Sequence, residues 1–274
     1  MSITEITKER RNDIMGSKID RIGERNINNF GSEMVIVGYR KAKDIDVYFP
    51  QYNWTAKNVQ YDNFKRGKIK CPYEPRVYNI GYIGEGKYKI KENGKLTKCY
   101  KIWNSMLNRC YSEKLHKRES TYINCKVCDE WHNLQNFGNW FCENYYEIED
   151  ERMVLDKDIL HKGNKTYSPE NCIFVPERIN SLFVKCDKSR GKYSIGVSYH
   201  KQNKKFSSKC SIYDYKENKK KSKHLGYYNT PQEAFEVYKQ FKENYIKQIA
   251  DYYKEQIPIN LYNTLYDYEV EITD

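Results

Sequence analysis

"KYSIGVSYHKQNKKFSSKCSIYDYKENKKKSKHLGYYNT" (192–230) contains three β-like runs separated by two polar turns. The pattern predicts a three-stranded antiparallel sheet. In "KFSSKCSIYD" (205–214), Phe206, Ser208, Cys210 and Ile212 share one parity and are expected to face inward. Lys205, Ser207, Lys209 and Ser211 take the opposite face, because successive strand residues point to opposite sides. The following stretch, "PQEAFEVYKQFKENYIKQIADYYKE" (231–255), predicts one long helix. Thr230 is a good cap and Pro231 suits the first helical position. Ala234, Val237, Tyr238, Phe241, Tyr245, Ile249 and Tyr252 then form the stripe that should cover the sheet.

The charge of the chain is concentrated in this region. Between Lys185 and His224 there are 13 Lys or Arg and three acids, an excess of +10 in 40 residues, against a net +11 for all 274. Such a surface suits a polyanion, and phosphate neutralisation with counterion release gives it strong, salt-sensitive affinity. The bland alternative is a solvated Lys-rich sheet. His200 and His224 read as surface or turn residues rather than ligands.

The remainder divides into segments. Residues 1–30 are charged, with Ile3, Ile6 and Ile14 at loose helical spacing, and read as an arm or short helix. Residues 31–99 read as a small β-rich domain. "SEMVIVGYRKAKDIDVYFP" (32–50) gives two strands around a Lys-rich turn, and Glu-Asn-Gly (92–94) signals a hairpin. "YKIWNSMLNRCYSEK" (100–114) predicts an amphipathic helix through Ile102, Met106, Leu107 and Cys110, with Trp103 at its edge. "NLQNFGNWFCENYYEI" (133–148) predicts another, with Leu134, Phe137, Phe141 and Tyr145 on one face. "PERINSLFVK" (176–185) opens with helix-start chemistry. "IPINLYNTLYDYEVEI" (257–272) reads as a Pro-started helical turn and a β-like tail.

Nine cysteines without a pairing framework, and no apolar run of about 18 residues, predict reduced thiols in a cytoplasm and no membrane partner. "CKVC" (125–128) would need two further ligands to hold zinc, so structural zinc is not expected. The 27 tyrosines are read mostly as core.

Gly196-Val197, the basic strand, Leu225-Gly226-Tyr227-Tyr228, Asn229-Thr230 and the Glu233-Ala234…Tyr238 helix recur in an order that resembles the AP2-like DNA-binding domain of plant transcription factors and phage endonucleases. The likeness spans about 190–255. It implies a three-stranded sheet in the major groove of double-stranded DNA with one helix behind. The basic residues then expected at DNA are Arg190, Lys192, Lys201, Lys204, Lys205, Lys209, Lys220 and Lys223.

A second resemblance covers 100–182. "IWNSMLNRCY", "TYINCKVCDEWHNLQNFGNW" and "LDKDILHKGNKTYSPENCIFVPERIN" resemble the HNH-like endonucleases of phages and mobile elements. The likeness implies a ββα-metal finger that hydrolyses DNA phosphodiesters with Mg²⁺ or another divalent cation. Asp156 matches its strand Asp, Asn171 its loop-ordering Asn, and Asn180 its helix ligand, so that Asp156 and Asn180 would hold the metal. Lys157 falls where the general-base His is expected. A protonated Lys abstracts no proton, although it can contact a phosphate. Asp158 and His161 are the available substitutes.

The expectation is therefore an α+β chain in four segments: 1–30, a β-rich 31–99, an HNH-like 100–184 and an AP2-like 185–274. Its function is read as a phage-type DNA-binding protein, either a metal-dependent endonuclease or a non-catalytic regulator on a degenerate finger. A third reading is a counter-defence factor that binds a host protein partner or forms a homo-oligomer.

Overall fold

The computed structural model describes residues 20–183, 192–214 and 219–272. Residues 1–19 of the segment 1–30 expected as an arm or short helix, and the basic residues Lys185, Lys188, Arg190 and Lys216, lie outside the described residues, while Arg25–Ile27 of that segment form a strand rather than a helix. The chain is mixed α+β and divides into two compact units, one through residue 89 together with 129–137, the other 90–128 with 138–274.

The first unit is built on an antiparallel meander of β1 (Arg25–Ile27), β2 (Glu33–Lys41), β3 (Asp44–Phe49) and β4 (Trp54–Val59). The expected pair of strands around a Lys-rich turn is β2–β3. Alternation builds the core: Met34 and Ile36 in β2, and Ile45, Val47 and Phe49 in β3, are fully buried. Helix α1 (Tyr61–Lys65) adds Phe64 to that cluster. In the loop that follows, buried Glu74 accepts hydrogen bonds from the backbone N of Cys71 and from Asn28.

The second unit begins with the hairpin β5 (Lys91–Glu92) and β6 (Lys95–Leu96). Asn93 and Gly94 turn it with φ of 49° and 76°, the two left-handed residues of a type I′ turn. Helix α2 (Lys98–Tyr111) follows, with Thr97 Oγ1 accepting from Tyr100 N at 3.2 Å. Its buried face is Cys99, Trp103, Met106, Leu107 and Cys110. Trp103, read as an edge residue, is fully buried, and Ile102 is only partly covered. Two residues, Lys126–Val127, form β7. Helix α3 (Leu134–Asn144) ends one residue before Tyr145, whose ring, like that of Phe141, packs around Phe174.

Strand β8 (Met153–Asp156) precedes β9 (Thr166–Tyr167), which pairs in parallel with β7. Strand β10 (Ile173–Pro176) pairs antiparallel with β8, and the single-turn helix α4 (Glu177–Asn180) follows directly. The helix starts there because Pro176, its N-cap, is still paired with Met153 in the sheet, and of the expected 176–185 only this single turn is helical among the described residues.

The predicted three-stranded antiparallel sheet is present as β11 (Val197–His200), β12 (Lys205–Asp214) and β13 (Lys219–Tyr228), in that order. The predicted long helix is α5 (Pro231–Tyr253), capped by Thr230 with Pro231 in its first turn. Its N-terminal half packs Phe235 and Tyr238 on Cys210 and Val270. Its C-terminal half packs Tyr245, Ile246, Ile249, Ala250 and Tyr253 on Ile173, Val175 and Ile179 of β10 and α4. One helix thus serves two cores, with each fully buried apolar side chain worth about 1.5–3 kcal/mol. Helix α6 (Ile259–Tyr266) completes the second core through Leu261 and Leu265. The tail beyond it is not a strand among the described residues. Val270 is buried, and its N donates to Glu243 Oε1 at 2.8 Å.

No helix of the described residues is long and apolar enough to cross a membrane.

Candidate nucleic-acid interface

The pleat of β12 decides which side chains face away from α5. Cys210 is buried against the N-terminal half of the helix and Ile212 leans on the second core, under its C-terminal half. The opposite parity carries Lys205, Ser207, Lys209, Ser211 and Tyr213. Across from them stand, in register, His200 and Ser198 on β11 and Tyr227, His224, Ser222 and Lys220 on β13. Lys205, Lys209, Ser211, Ser222 and Lys220 are exposed. Among the described residues no carboxylate pairs with Lys205, Lys209 or Lys220. Three lysines among hydroxyls on an open sheet face offer charge for phosphates and short polar groups for base edges.

Register Ser208↔Gly226 is followed by Lys209↔His224, so Leu225 is an extra residue in β13. This bulge sends Leu225 toward the helix-side core and resets the parity, which brings His224 and Tyr227 to the same outer face. Tyr227 lies between two imidazoles, with ring centroids 5.1 Å from His200 and 4.6 Å from His224. Strand alternation alone separates residues 224 and 227, so this cluster was not anticipated. The Leu-Gly pair at 225–226 was the available signal, since glycine in a strand often marks a bulge.

Ser207, expected on the open face, is instead buried at 1% exposure. Its Oγ and that of Ser208 are both without a hydrogen-bond partner among the described residues. Lys201 and Lys204 sit exposed in the turn between β11 and β12, where Lys204 takes a left-handed φ of 50°. Lys192 is exposed beside the Tyr193 ring. Lys223 pairs across from Cys210, and its Nζ lies 4.8 Å from the Phe241 ring, on the helix side. Arg190 lies outside the described residues.

The other predicted residues gather at the end of β8. Asp156 closes the strand, paired with Ile173. Its Oδ1 accepts from the backbone N of Asp158 (2.9 Å) and Ile159 (2.8 Å), which turns the chain out of the sheet. Burial, and then the neighbouring charge of Asp158, push the Asp156 carboxyl up to about 6, against the pull of those two N–H groups. Lys157 points the other way and is buried at 6% exposure. Its Nζ lies 3.1 Å from Asp158 Oδ2 and 5.8 Å from the Tyr167 ring, which also receives the Arg109 guanidinium at 5.1 Å.

Asn164, which the sequence reading passed over, fixes this loop: its Nδ2 donates to the carbonyls of Lys157 (2.6 Å) and Thr166 (2.7 Å). Asn171 Nδ2 donates to Ser168 Oγ at 2.8 Å, just before β10. His161 is exposed in the turn ahead of Asn164. Asn180 is the last residue of α4 and is partly buried.

The donor set fits a divalent cation in part. Asp156 and Asp158 are mutually repelling carboxyls, which a cation relieves. The Lys157 ammonium beside Asp158 already supplies some of that compensation. Among the described residues no three His, Cys, Asp or Glu side chains converge as a metal-binding group.

No protein-family model, curated protein or solved structure matches this chain.

Proposed function

We propose that this chain binds double-stranded DNA through the outer face of β11–β13. The observation that carries the reading is the row of Lys205, Lys209 and Lys220, interleaved with serines and flanked by Tyr227 and its two histidines, with no pairing carboxylate among the described residues. The lysines supply the sequence-independent affinity for phosphates. Ser211 and Ser222, directly opposite each other, are the short groups able to approach base edges. The face is rigid because α5 backs it through Phe235 and Tyr238. The test is fluorescence anisotropy with a labelled mixed-sequence duplex. Replacing Lys205, Lys209 and Lys220 together by Gln should weaken binding at least tenfold. Equal binding by wild type and variant would remove this face from the account.

A second reading, DNA hydrolysis, rests on the meeting of Asp156, Lys157 and Asp158 where β8 ends and on the β8–β10–α4 succession behind it. A divalent cation held by Asp156 and Asn180 would supply charge neutralisation at a scissile phosphate. Lys157, buried and paired with Asp158, is turned inward over Tyr167 and so supplies neither the base nor the phosphate contact expected of it. Incubation of supercoiled plasmid with Mg²⁺ or Mn²⁺ separates the two. Nicking that is lost in Asp156→Ala supports hydrolysis, and intact plasmid leaves a protein that acts by occupying DNA.

A further inference from the structure

Where β12 and β13 run toward their shared turn, the second unit encloses a small cavity between the sheet, α4 and α5. Its walls include Arg178, Ser211, Tyr213, Lys220, Lys242 and Tyr245. No described carboxylate lines it. Arg178 is already compensated, with its Nη1 3.2 Å from Glu151 Oε1 and its guanidinium over the Tyr213 ring at 4.6 Å. Lys220 and Lys242 are not. Lys242 stands on the buried face of α5 at 9% exposure, with no hydrogen bond or ion pair among the described residues. Burial depresses its pKa, against an opposing pull from the Cys210 thiol, and the charge of Lys220 adds a smaller push in the same direction as burial. A buried ammonium without a counter-charge is costly, so such groups are normally paired or neutral.

We propose that this cavity is a phosphate-binding site centred on Lys242. Three features specify the ligand. Lys220 and Lys242 line one cavity whose lining residues include no acid, which selects an anion of more than one charge. Hydroxyls of Ser211 and Tyr245 line the same space as donors, and Tyr245 Oη accepts from Tyr213 N at 2.7 Å, which leaves its proton for a ligand. The cavity is small and flanked by Ile212 and Ile249, so it takes a compact oxyanion rather than a base or sugar. The phosphate has two chemical sources. Ser211 and Lys220 line the cavity and are exposed, so a backbone phosphate of bound DNA has access to the site beside them. Free phosphate reaches it without DNA.

The experiment uses the full chain and inorganic phosphate. Millimolar phosphate should raise the thermal midpoint of the wild type by roughly 2–4 °C over potassium chloride of equal ionic strength. In Lys242→Met the shift should vanish. That variant should fold, with an unliganded midpoint at or above that of the wild type, because a buried charge is exchanged for an apolar side chain of similar length. Should Lys242→Met fail to fold, Lys220→Gln, at an exposed position, should at least halve the phosphate shift. No shift in the wild type, or equal shifts in wild type and folded variants, overturns the site. A second arm, which alone depends on the DNA-binding reading, identifies the source. A salt dependence of duplex binding shallower by about one ion in Lys242→Met assigns a DNA phosphate, and an unchanged slope with the phosphate shift lost assigns free phosphate.

Discussion

Lys209 stands directly opposite His224 on the open face of the C-terminal sheet, one step past the bulge that expels Leu225 toward the core. That pairing puts a cation in the middle strand beside the Tyr227–His224 rings in the edge strand. It is the point at which charge for phosphates meets flat surface for bases or sugars. Tyr227, 40% exposed, should therefore contribute to DNA affinity without holding the fold together. Tyr227→Ala is expected to weaken duplex binding about three- to tenfold, in line with roughly 1 kcal/mol for a partly exposed stacking aromatic, with a nearly unchanged thermal midpoint. Anisotropy and calorimetry on the same preparation check both halves.

Gly196, just ahead of β11, lies close against Tyr238 of α5. Its φ is +77°, and a Cβ there would overlap the ring of Tyr238. Gly196→Ala meets both a left-handed backbone and a buried ring, and should cost about 3 kcal/mol or more. A drop in thermal midpoint of several degrees is expected, and calorimetry measures it.

Ser207 and Ser208 bury two hydroxyls that have no partner among the described residues. Removing an unsatisfied buried hydroxyl is neutral or stabilising, whereas removing a satisfied one is not. Ser207→Ala and Ser208→Ala should each leave the protein as stable as wild type or about 1 kcal/mol more so, measured by urea denaturation. A loss of more than about 1 kcal/mol would mean that the hydroxyls are bonded in solution.

Much of this architecture is legible in the residues. Alternation in β2 and β3, the Asn-Gly turn at 93–94, Thr230 and Pro231 at the start of α5, and the three C-terminal strands all follow from local chemistry that tertiary packing did not override. The misreadings share a cause. Trp103 looked peripheral because the helical stripe was drawn through Ile102, one position off the face that the core selects. His224 and Tyr227 looked separate because a bulge is a register event, visible only once the partner strand is placed. The burial of Ser207 and Lys242 depends on what covers them, and period-2 or period-3.6 patterning carries no information about that. At β8, the sequence placed Asp156, Lys157 and Asp158 together, but not that Lys157 turns inward over Tyr167 or that Asn164 ties the loop.

Asp156 gives the fold a pH signature. Its carboxyl is raised to about 6 in the folded chain, above the ordinary value of 3.8. The native state therefore holds this proton more tightly than the unfolded state does. The penalty on folding is full once pH passes the folded value, and it fades as pH falls from about 6 toward 4. Asp156→Asn keeps an acceptor for the two backbone N–H groups and removes the titration. Denaturation at a series of pH values should show the variant gaining on the wild type between pH 4 and 7, by about 1–3 kcal/mol. A difference that stays constant with pH would place the carboxyl in the ordinary range.

Neutralisation of duplex phosphates by the cationic face of β11–β13 makes binding strongly salt-dependent. With a labelled duplex, the logarithm of the association constant should fall linearly with the logarithm of salt concentration, at a slope of about −3 or steeper. In Lys205→Gln/Lys209→Gln/Lys220→Gln the slope should flatten by about 2–3. A wild-type slope near zero, or an identical slope in the triple variant, would contradict the account.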